Sequence, residues 1–495
     1  MKRFILKHEK GVLRALEILP GFVSWNLILF PYWGIFAIPV ITAYFILLFN
    51  VYWFYQALQI AISSIISHLK IKSSEVYNWL NDVKDFPDWK KIEHIVIIPT
   101  YKEPLYILER TIKALTNQDF PLKQIVVVLA MEFKENKSER DFKFNKLYQK
   151  FGKIFKYFTY TVHKLESNEI VGKSSNEKHA AVWIKKNYID KYNLDINYIL
   201  ASICDADHKY HPKYFSYLTY KFLDNPNRFK SFWQPTLMFY NNIWELPAIS
   251  RVLNTMMTIF AVSLQPRKDK LINMASYSMS FKLLHEVGYW DADKIPEDWG
   301  IFFKAFYKKG GGVEVEPIYL PHFADAAQST STWKTFKAQY QQIQRWAYGA
   351  SDDPWIIKNY LISEIPFWEK TMRLMHVLWA HFLWPVNWFL ITLGLTIPTL
   401  LNPAFGRTAL GYTVPKLSSY TLTVTLIFLV ILLIIDSSHK PPRPKNFPLW
   451  RAILTPFEFI LMPVAGFFFG ALPGLDAHTR LMLGKYLEYK VTEKV

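Results

Sequence analysis

Midway along the chain the sequence reads Tyr198-Ile199-Leu200-Ala201-Ser202-Ile203-Cys204-Asp205-Ala206-Asp207-His208. The run Tyr198 to Ile203 is short, continuous, apolar and rich in β-branched side chains, the pattern of a strand buried on both faces of a parallel sheet. Two similar runs precede it, Ile95 to Ile98 and Ile125 to Leu129. Between those two, Pro104 stands where the first turn of a helix accepts proline. Leu105, Leu108, Ile112 and Leu115 then recur at helical spacing. Strand, helix and strand in this order predict an α/β, Rossmann-like domain over residues 93–330, with ligands at the carboxyl ends of its strands. Lys137 to Lys156 is expected as a surface helix.

Outward from this domain the chain becomes apolar on both sides. Phe22 to Ile66 is about twice the ~20 residues one membrane helix needs, which predicts an N-terminal transmembrane hairpin over 1–66 turning near Pro31 and Tyr32. A cleaved signal peptide is a poor fit, because the run is too long and lacks a small-residue cleavage pattern. Residues 67–92 are expected as a linker and 331–373 as amphipathic interface helices. A C-terminal transmembrane region over 374–475 offers spans at Val377 to Leu401 and Ser419 to Ile435. It also offers an interrupted stretch from Leu449 to Leu472 that contains Pro456 and Pro463. Residues 476–495 read as an interfacial helix followed by a tail.

Lys2, Arg3, Lys7, Lys10 and Arg14 precede the first block, and Lys440, Arg443, Lys445 and Arg451 follow the Ser419 to Ile435 span. By the positive-inside rule the N-terminus, the central domain and the loop at Lys440 are expected on the cytoplasmic side of a cell membrane. Of the 495 residues, 51% are hydrophobic and 17% aromatic, yet mean hydropathy is only +0.04, so the apolar character sits in blocks. A net charge of +17 suits nucleic acid, anionic lipid or a phosphate-bearing substrate. Because the charges flank apolar spans, lipid is the expected partner and nucleic acid is not. Cys204 is the only cysteine, which excludes an intramolecular disulfide and a cysteine zinc cluster. A transporter would place ionisable pairs inside its spans, whereas these carry almost no charge apart from His376 and His381.

Asp205 and Asp207, one residue apart directly after a buried strand, are suited to holding a divalent cation, Mg2+ or Mn2+, against a diphosphate. His208 and His211 are expected to be satisfied by hydrogen bonds rather than to ligate. Glu297-Asp298 lies between Pro296 and Trp299, where burial raises a carboxyl pKa towards that of a useful base. Asp298 is the expected base, and the pair also suits the first turn of a helix from Trp299 to Tyr307. Gln342, Arg345 and Trp346 fall at i, i+3 and i+4 of a helix beginning near Trp333 and project from one face. Arg345 suits a diphosphate and Trp346 a sugar ring.

Taken in order, Ile97-Ile98-Pro99-Thr100-Tyr101, Asp205-Ala206-Asp207, Glu297-Asp298 and Gln342-Ile343-Gln344-Arg345-Trp346 resemble the processive family-2 glycosyltransferases, the group of cellulose, chitin and hyaluronan synthases. The resemblance implies a membrane enzyme with an A-type glycosyltransferase fold. It would transfer a sugar, with inversion, from a UDP- or GDP-sugar to a growing polysaccharide. An alternative in the same fold is single addition to a polyprenyl phosphate or lipid, and a remote one is a non-catalytic scaffold. By the same resemblance Asp205 and Asp207 hold the metal and Asp298, with Glu297, supplies the base. Pro99, Thr100, Tyr101, Glu103, Lys173, Asn176, Asp205 and Arg345 contact the donor, while Gln342, Trp346 and Trp299 line the acceptor. Where the family has an Asp-Asp-Gly turn, this chain reads Leu129-Ala130-Met131-Glu132, so Glu132 is expected at the nucleobase. Tyr489 to Lys494 resembles the family's gating loop, which assigns Thr492 and Lys494 to the donor diphosphate. A gating tail must be cytoplasmic, and that requirement predicts a re-entrant or interfacial hairpin kinked at Pro463 for Leu449 to Leu472.

Overall fold

In the computed structural model, which describes residues 2–167, 169–394 and 396–487, the three apolar runs are the centre of one mixed sheet. They form β1 (Glu93–Thr100), β2 (Ile125–Glu132) and, after β3 (Tyr157–His163), β4 (Ile199–Ile203). Every residue of β1, β2 and β4 is buried, as continuous apolar runs require. β5 (Lys209–Tyr210), β6 (Ser231–Met238), β7 (Tyr277–Ser280) and β8 (Glu314–Phe323) complete eight strands in the order β3-β2-β1-β4-β7-β6-β8-β5. β1 to β4 pair in parallel, and β7 runs antiparallel between β4 and β6. The fold is therefore the predicted α/β, Rossmann-like architecture, flanked at both ends by apolar helices. The surface helix is Lys137–Phe151, capped by the Asn136 side chain on the Ser138 N–H.

The N-terminal hairpin turns at Ile38, between helices Glu9–Ala37 and Pro39–Val76, and not near Pro31 and Tyr32. Pro31 stays inside the first helix, because neighbouring helices in a membrane bundle tolerate the lost hydrogen bond. Proline at the first position of the second helix fits the turn better, since its missing N–H is an orphan there anyway. At ~1.5 Å per residue the 38-residue second helix is about 57 Å long, far more than a ~30 Å hydrocarbon core. Its last turns reach the domain: Ile71 is fully buried in the same cluster as Val83, Val96 and Ile98. Ser67 Oγ donates to Val262 O at 2.6 Å. The stretch 67–92, expected as a linker, is thus largely helical and packed.

Among the described residues four helices are long and apolar enough to cross a membrane: Glu9–Ala37, Pro39–Val76, Ala409–His439 and Leu449–Met482. The expected span Val377 to Leu401 is instead divided among Phe367–Leu383, Asn387–Thr392 and Thr396–Leu401. These pieces lead to Asn402, whose Nδ2 donates to Ile35 O at 2.9 Å, beside the hairpin turn. The run Leu449–Met482 is not a hairpin: it continues through 3₁₀ geometry at Thr455–Leu461 and π geometry at Phe467–Ala471 without reversing. Its flank follows the α/β domain and the helix Thr332–Ala347. Glu458 pairs with Arg251 at 2.7 Å, Ala465 packs with Val252, Leu253 and Ile343, and Ala477 and Leu481 pack with Ala347 and Tyr348. Gly466 lets this run close on Trp388, whose ring would lie 2.0 Å from an added Cβ. Arg14 donates to the carbonyls of Leu481 (2.9 Å) and Met482 (2.6 Å), tying the end of the run to the first helix.

Candidate functional site

β4 ends at Ile203, and the loop after it carries Asp205, Asp207 and His208, whose ligating atoms all lie within 4.8 Å of one another. Asp207 is buried and its Oδ2 accepts from the Asp325 N–H at 3.2 Å. The His208 ring is held by Ser276 Oγ (2.8 Å) and His322 Nε2 (3.0 Å), so it is hydrogen-bonded as expected and still belongs to the cluster. His211 stands apart, accepting from the Lys213 N–H in a local turn at 3.2 Å. Two hard carboxylates and an imidazole at this spacing fit Mg2+ or Mn2+.

Lys173 joins this loop to the second pair of carboxylates. It opens the helix Lys173–Ile184, and its ammonium lies 2.7 Å from Asp205 Oδ1, 2.7 Å from Glu297 Oε1, 3.5 Å from Glu177 Oε1 and 2.8 Å from Ala275 O. Burial alone would lower the Lys173 pKa, but the charges of Asp205, Glu297 and Glu177 outweigh it and hold the ammonium well above its ordinary value. Burial raises Glu177 well above the usual carboxylate range even with Lys173 nearby. It carries Glu297 up to about 7, against the pull of Lys173 and with a push from Asp298. Glu177 is the member that sequence reasoning missed; its position four residues after Lys173 on the same helix was the available signal.

Glu297 and Asp298 are the first two residues of the helix Glu297–Lys308. Asp298 Oδ2 accepts from the Ala275 N–H at 3.0 Å and Oδ1 from the Trp299 N–H at 2.9 Å. Burial raises its pKa and these two amides moderate the rise. Ala275 adopts a positive φ of 54°, a costly conformation for alanine, and so aims its N–H at Asp298 while its carbonyl meets Lys173. The Trp299 ring stacks on His381 at 5.1 Å between centroids, so one of its faces is already covered.

The other predicted residues surround this centre at varying distance. Pro99 and Thr100 end β1 beside β4. Glu103 folds back to accept from Thr100 Oγ1 at 2.7 Å and from the Tyr101 N–H, closing the loop at Lys102, which has φ 65°. Glu132 ends β2 opposite His163 of β3, buried, with Oε1 lacking a hydrogen-bond partner among the described residues; burial pushes its pKa up. Asn176 Oδ1 lies 3.2 Å from His163 Nδ1, so Glu132 and Asn176 flank one histidine. Gln342, Arg345 and Trp346 share the helix Thr332–Ala347, where Trp346 meets Phe239 at 5.8 Å and buried Gln342 accepts from Gln339 at 3.2 Å. Thr492 and Lys494 lie outside the described residues. Ser276, His322 and Asp325, which hold the aspartate loop, carry no motif that sequence alone would select.

Among solved structures, a mannosyltransferase from Pyrobaculum calidifontis in complex with GDP-Man and Mn2+ is 12% identical, with 77% of this chain and 100% of that chain covered and a TM-score of 0.42. S. aureus TarS 1-349 in complex with UDP-GlcNAc is 12% identical, with 81% and 94% covered and a TM-score of 0.35. No curated protein sequence matches the chain. Residues 202–435 match the family model described as glycosyl transferase family group 2, a stretch that runs from β4 through the aspartate loop, Glu297-Asp298 and Gln342 to Trp346 into the helix Ala409–His439. The stretch that bears these residues is therefore similar to a family-2 glycosyltransferase domain over residues 202–435, and the chain is a glycosyltransferase.

Proposed function

We propose that the enzyme transfers a sugar, with inversion, from a UDP- or GDP-sugar to a growing saccharide at the cytoplasmic face of a cell membrane. The observation that carries this reading is the junction of Asp205 with Glu297-Asp298 through Lys173 at the carboxyl edge of the sheet. It brings a diphosphate-type metal site and a raised-pKa carboxylate pair to one place. Asp205 and Asp207, with His208 in reach, would hold Mg2+ or Mn2+, which supplies positive charge against the leaving diphosphate. Asp298 accepts the proton of the attacking hydroxyl, held in line by the Ala275 and Trp299 amides. Thr100, Tyr101, Glu103, Glu132, Lys173 and Asn176 bind the nucleotide, and Arg345 the diphosphate. Gln342, Trp346 and the open face of Trp299 support the acceptor.

Topology supports the same reading. Glu9–Ala37, Pro39–Val76, the broken segment through Asn402, and Ala409–His439 make four crossings, and Leu449–Met482 runs along the domain at the interface. The N-terminus, the catalytic domain and Leu487 then share the cytoplasmic side. Purified protein in detergent with Mg2+ or Mn2+ and a panel of radiolabelled UDP- and GDP-sugars tests the proposal, with product length separating polymer growth from single addition. Absence of both turnover and nucleotide binding across the panel overturns it.

A further inference from the structure

Directly after β6, consecutive residues each hold a different part of the molecule. The Phe239 N–H donates to Thr258 Oγ1 at 3.1 Å, and its ring meets Trp346 at 5.8 Å between centroids. Tyr240, fully buried, donates its hydroxyl to Asp436 Oδ1 on the helix Ala409–His439. Asn241 Nδ2 donates to Asp207 O at 3.0 Å and to Phe323 O at 3.3 Å. Asn242 exchanges two hydrogen bonds with Ala326: its Oδ1 accepts from the Ala326 N–H at 2.9 Å and its Nδ2 donates to Ala326 O at 3.0 Å. One short segment thus joins a membrane helix to the aspartate loop.

Backbone bonds make this segment stiff. Met238 O accepts from the Tyr240 N–H at 3.0 Å and from the Ala324 N–H at 2.8 Å, and the Asn241 N–H donates to Ala324 O at 3.1 Å. The next amide, that of Asp325, is the donor to Asp207 Oδ2 at 3.2 Å. Asn241 therefore holds the backbone of Asp207, while the strand end it pairs with holds the carboxylate. Neighbouring Cα atoms are ~3.8 Å apart across a planar peptide, so a shift of Tyr240 is passed to Asn241. A cation site tolerates departures of only about 0.2 Å in ligand distance, so even a small shift at Tyr240 reaches Asp207 with effect.

The membrane end of this path is equally specific. From Leu417 to Ile435 the helix carries no charged side chain, and Asp436 follows one turn before its end. An acid at such a place is held by a partner. Lys440 Nζ lies 2.5 Å from Asp436 Oδ2 and balances the charge. The neutral Tyr240 hydroxyl adds direction instead, fixing where the domain sits on the helix. A second bond joins the same two parts, Trp244 Nε1 donating to Pro441 O at 2.9 Å, and it lies outside the path to Asp207.

We propose that Tyr240 and Asp436 are positioning residues for the cation site: Asp436 fixes Tyr240, and Tyr240 sets Asn241 where it holds the Asp207 backbone. The seating of the α/β domain on the helix Ala409–His439 thereby sets how tightly the divalent cation binds. This inference rests on the cation site of the function proposed above.

Full-length protein in phosphatidylcholine nanodiscs is titrated with Mn2+, alone and with UDP or GDP. Free Mn2+ is read by electron paramagnetic resonance, beside the melting temperature. Loss of a bond that orients a metal ligand costs about 10–100-fold in affinity, so Asn241→Ala is expected to weaken Mn2+ binding about tenfold. Tyr240→Phe and Asp436→Asn, one contact further out, are expected to weaken it about threefold. In the N241A background Y240F should add nothing, because its path is already cut. W244F, which loosens the same junction elsewhere, should bind Mn2+ as the parent does. Y240F keeps the buried ring, so it carries the test if D436N does not fold. Parent-like Mn2+ affinity in Y240F, a Y240F effect that persists beside N241A, or an equal loss in W244F each overturns the inference. A parent protein that binds no Mn2+, alone or with either nucleotide, strikes instead at the cation site of the proposed function.

Discussion

Replacing Lys173 with methionine removes the one ammonium that Asp205, Glu297 and Glu177 share, at 2.7, 2.7 and 3.5 Å. Methionine keeps most of the side chain's volume, so the loss is electrostatic. Breaking a buried ion pair costs about 3–5 kcal/mol when the remaining charge stays. Here the low end applies, because Glu177 and Glu297 already have raised pKa values and can relieve the strain by taking up protons. About 3 kcal/mol, acting on a domain of roughly 240 residues at ~2.1 cal/mol/K per residue, lowers Tm by about 6 °C. Without the ammonium the acids move further above their unfolded values. The folded state then holds more protons than the unfolded one between those values, so stability falls as pH rises through the window. The Tm deficit of K173M is therefore small at pH 5.5 and full at pH 8. Melting of purified protein in one detergent at both pH values reads this directly. A deficit of equal size at the two pH values, or none at pH 8, refutes the argument that Lys173 is there to hold ionised carboxylates together.

Asp298→Asn is expected to lower turnover by roughly 10² to 10⁴ while leaving donor affinity nearly intact; a fall in affinity with the rate preserved contradicts its role as base. Because burial holds Asp298 above its usual range and Glu297 at about 7, activity should be lost as pH falls through neutrality, and a flat rate profile between pH 5 and 8 counts against ionised carboxylates in the reaction. Chelation or Asp207→Ala should abolish turnover and weaken donor binding, and full activity in excess chelator removes the metal from the site. Truncation after Glu488 should lower donor affinity or rate. The Arg14 clamp on Leu481 and Met482, with Leu487 packed against the cluster at Ala347 and Tyr348, delivers the chain to the end of the Gln342 to Trp346 helix just before that point. Unchanged kinetics would make the resemblance of Tyr489 to Lys494 to a gating loop a coincidence.

How much was legible depended on the range of the interaction. β1, β2 and β4, the helix after Pro104 and the Glu297–Lys308 helix follow local rules of apolar period and terminal chemistry, and they appear where the sequence places them. The hairpin turn did not, because a proline marks a turn in water but not inside a membrane helix: the sequence reading fell on Pro31, whereas the chain turns at Ile38, just before Pro39. Leu449 to Leu472 was ambiguous because its composition suits both a span and an interface. The Arg251–Glu458 pair and the Gly466–Trp388 contact, which set its path, join residues distant in sequence.

The sequence by itself determined that long apolar blocks flank an α/β domain, and it singled out Asp205, Asp207 and Glu297-Asp298 for the proposed chemistry. Hydrophobic period and strand-end position are properties of a few neighbouring residues. Only the tertiary structure decided that Lys173, separated from Glu297 by more than a hundred residues, ties these acids into one centre with Glu177. Only it decided that Ala275 turns an amide onto Asp298. Electrostatic and backbone contacts act over a few ångströms in space, whatever the distance along the chain, so no local pattern announces them.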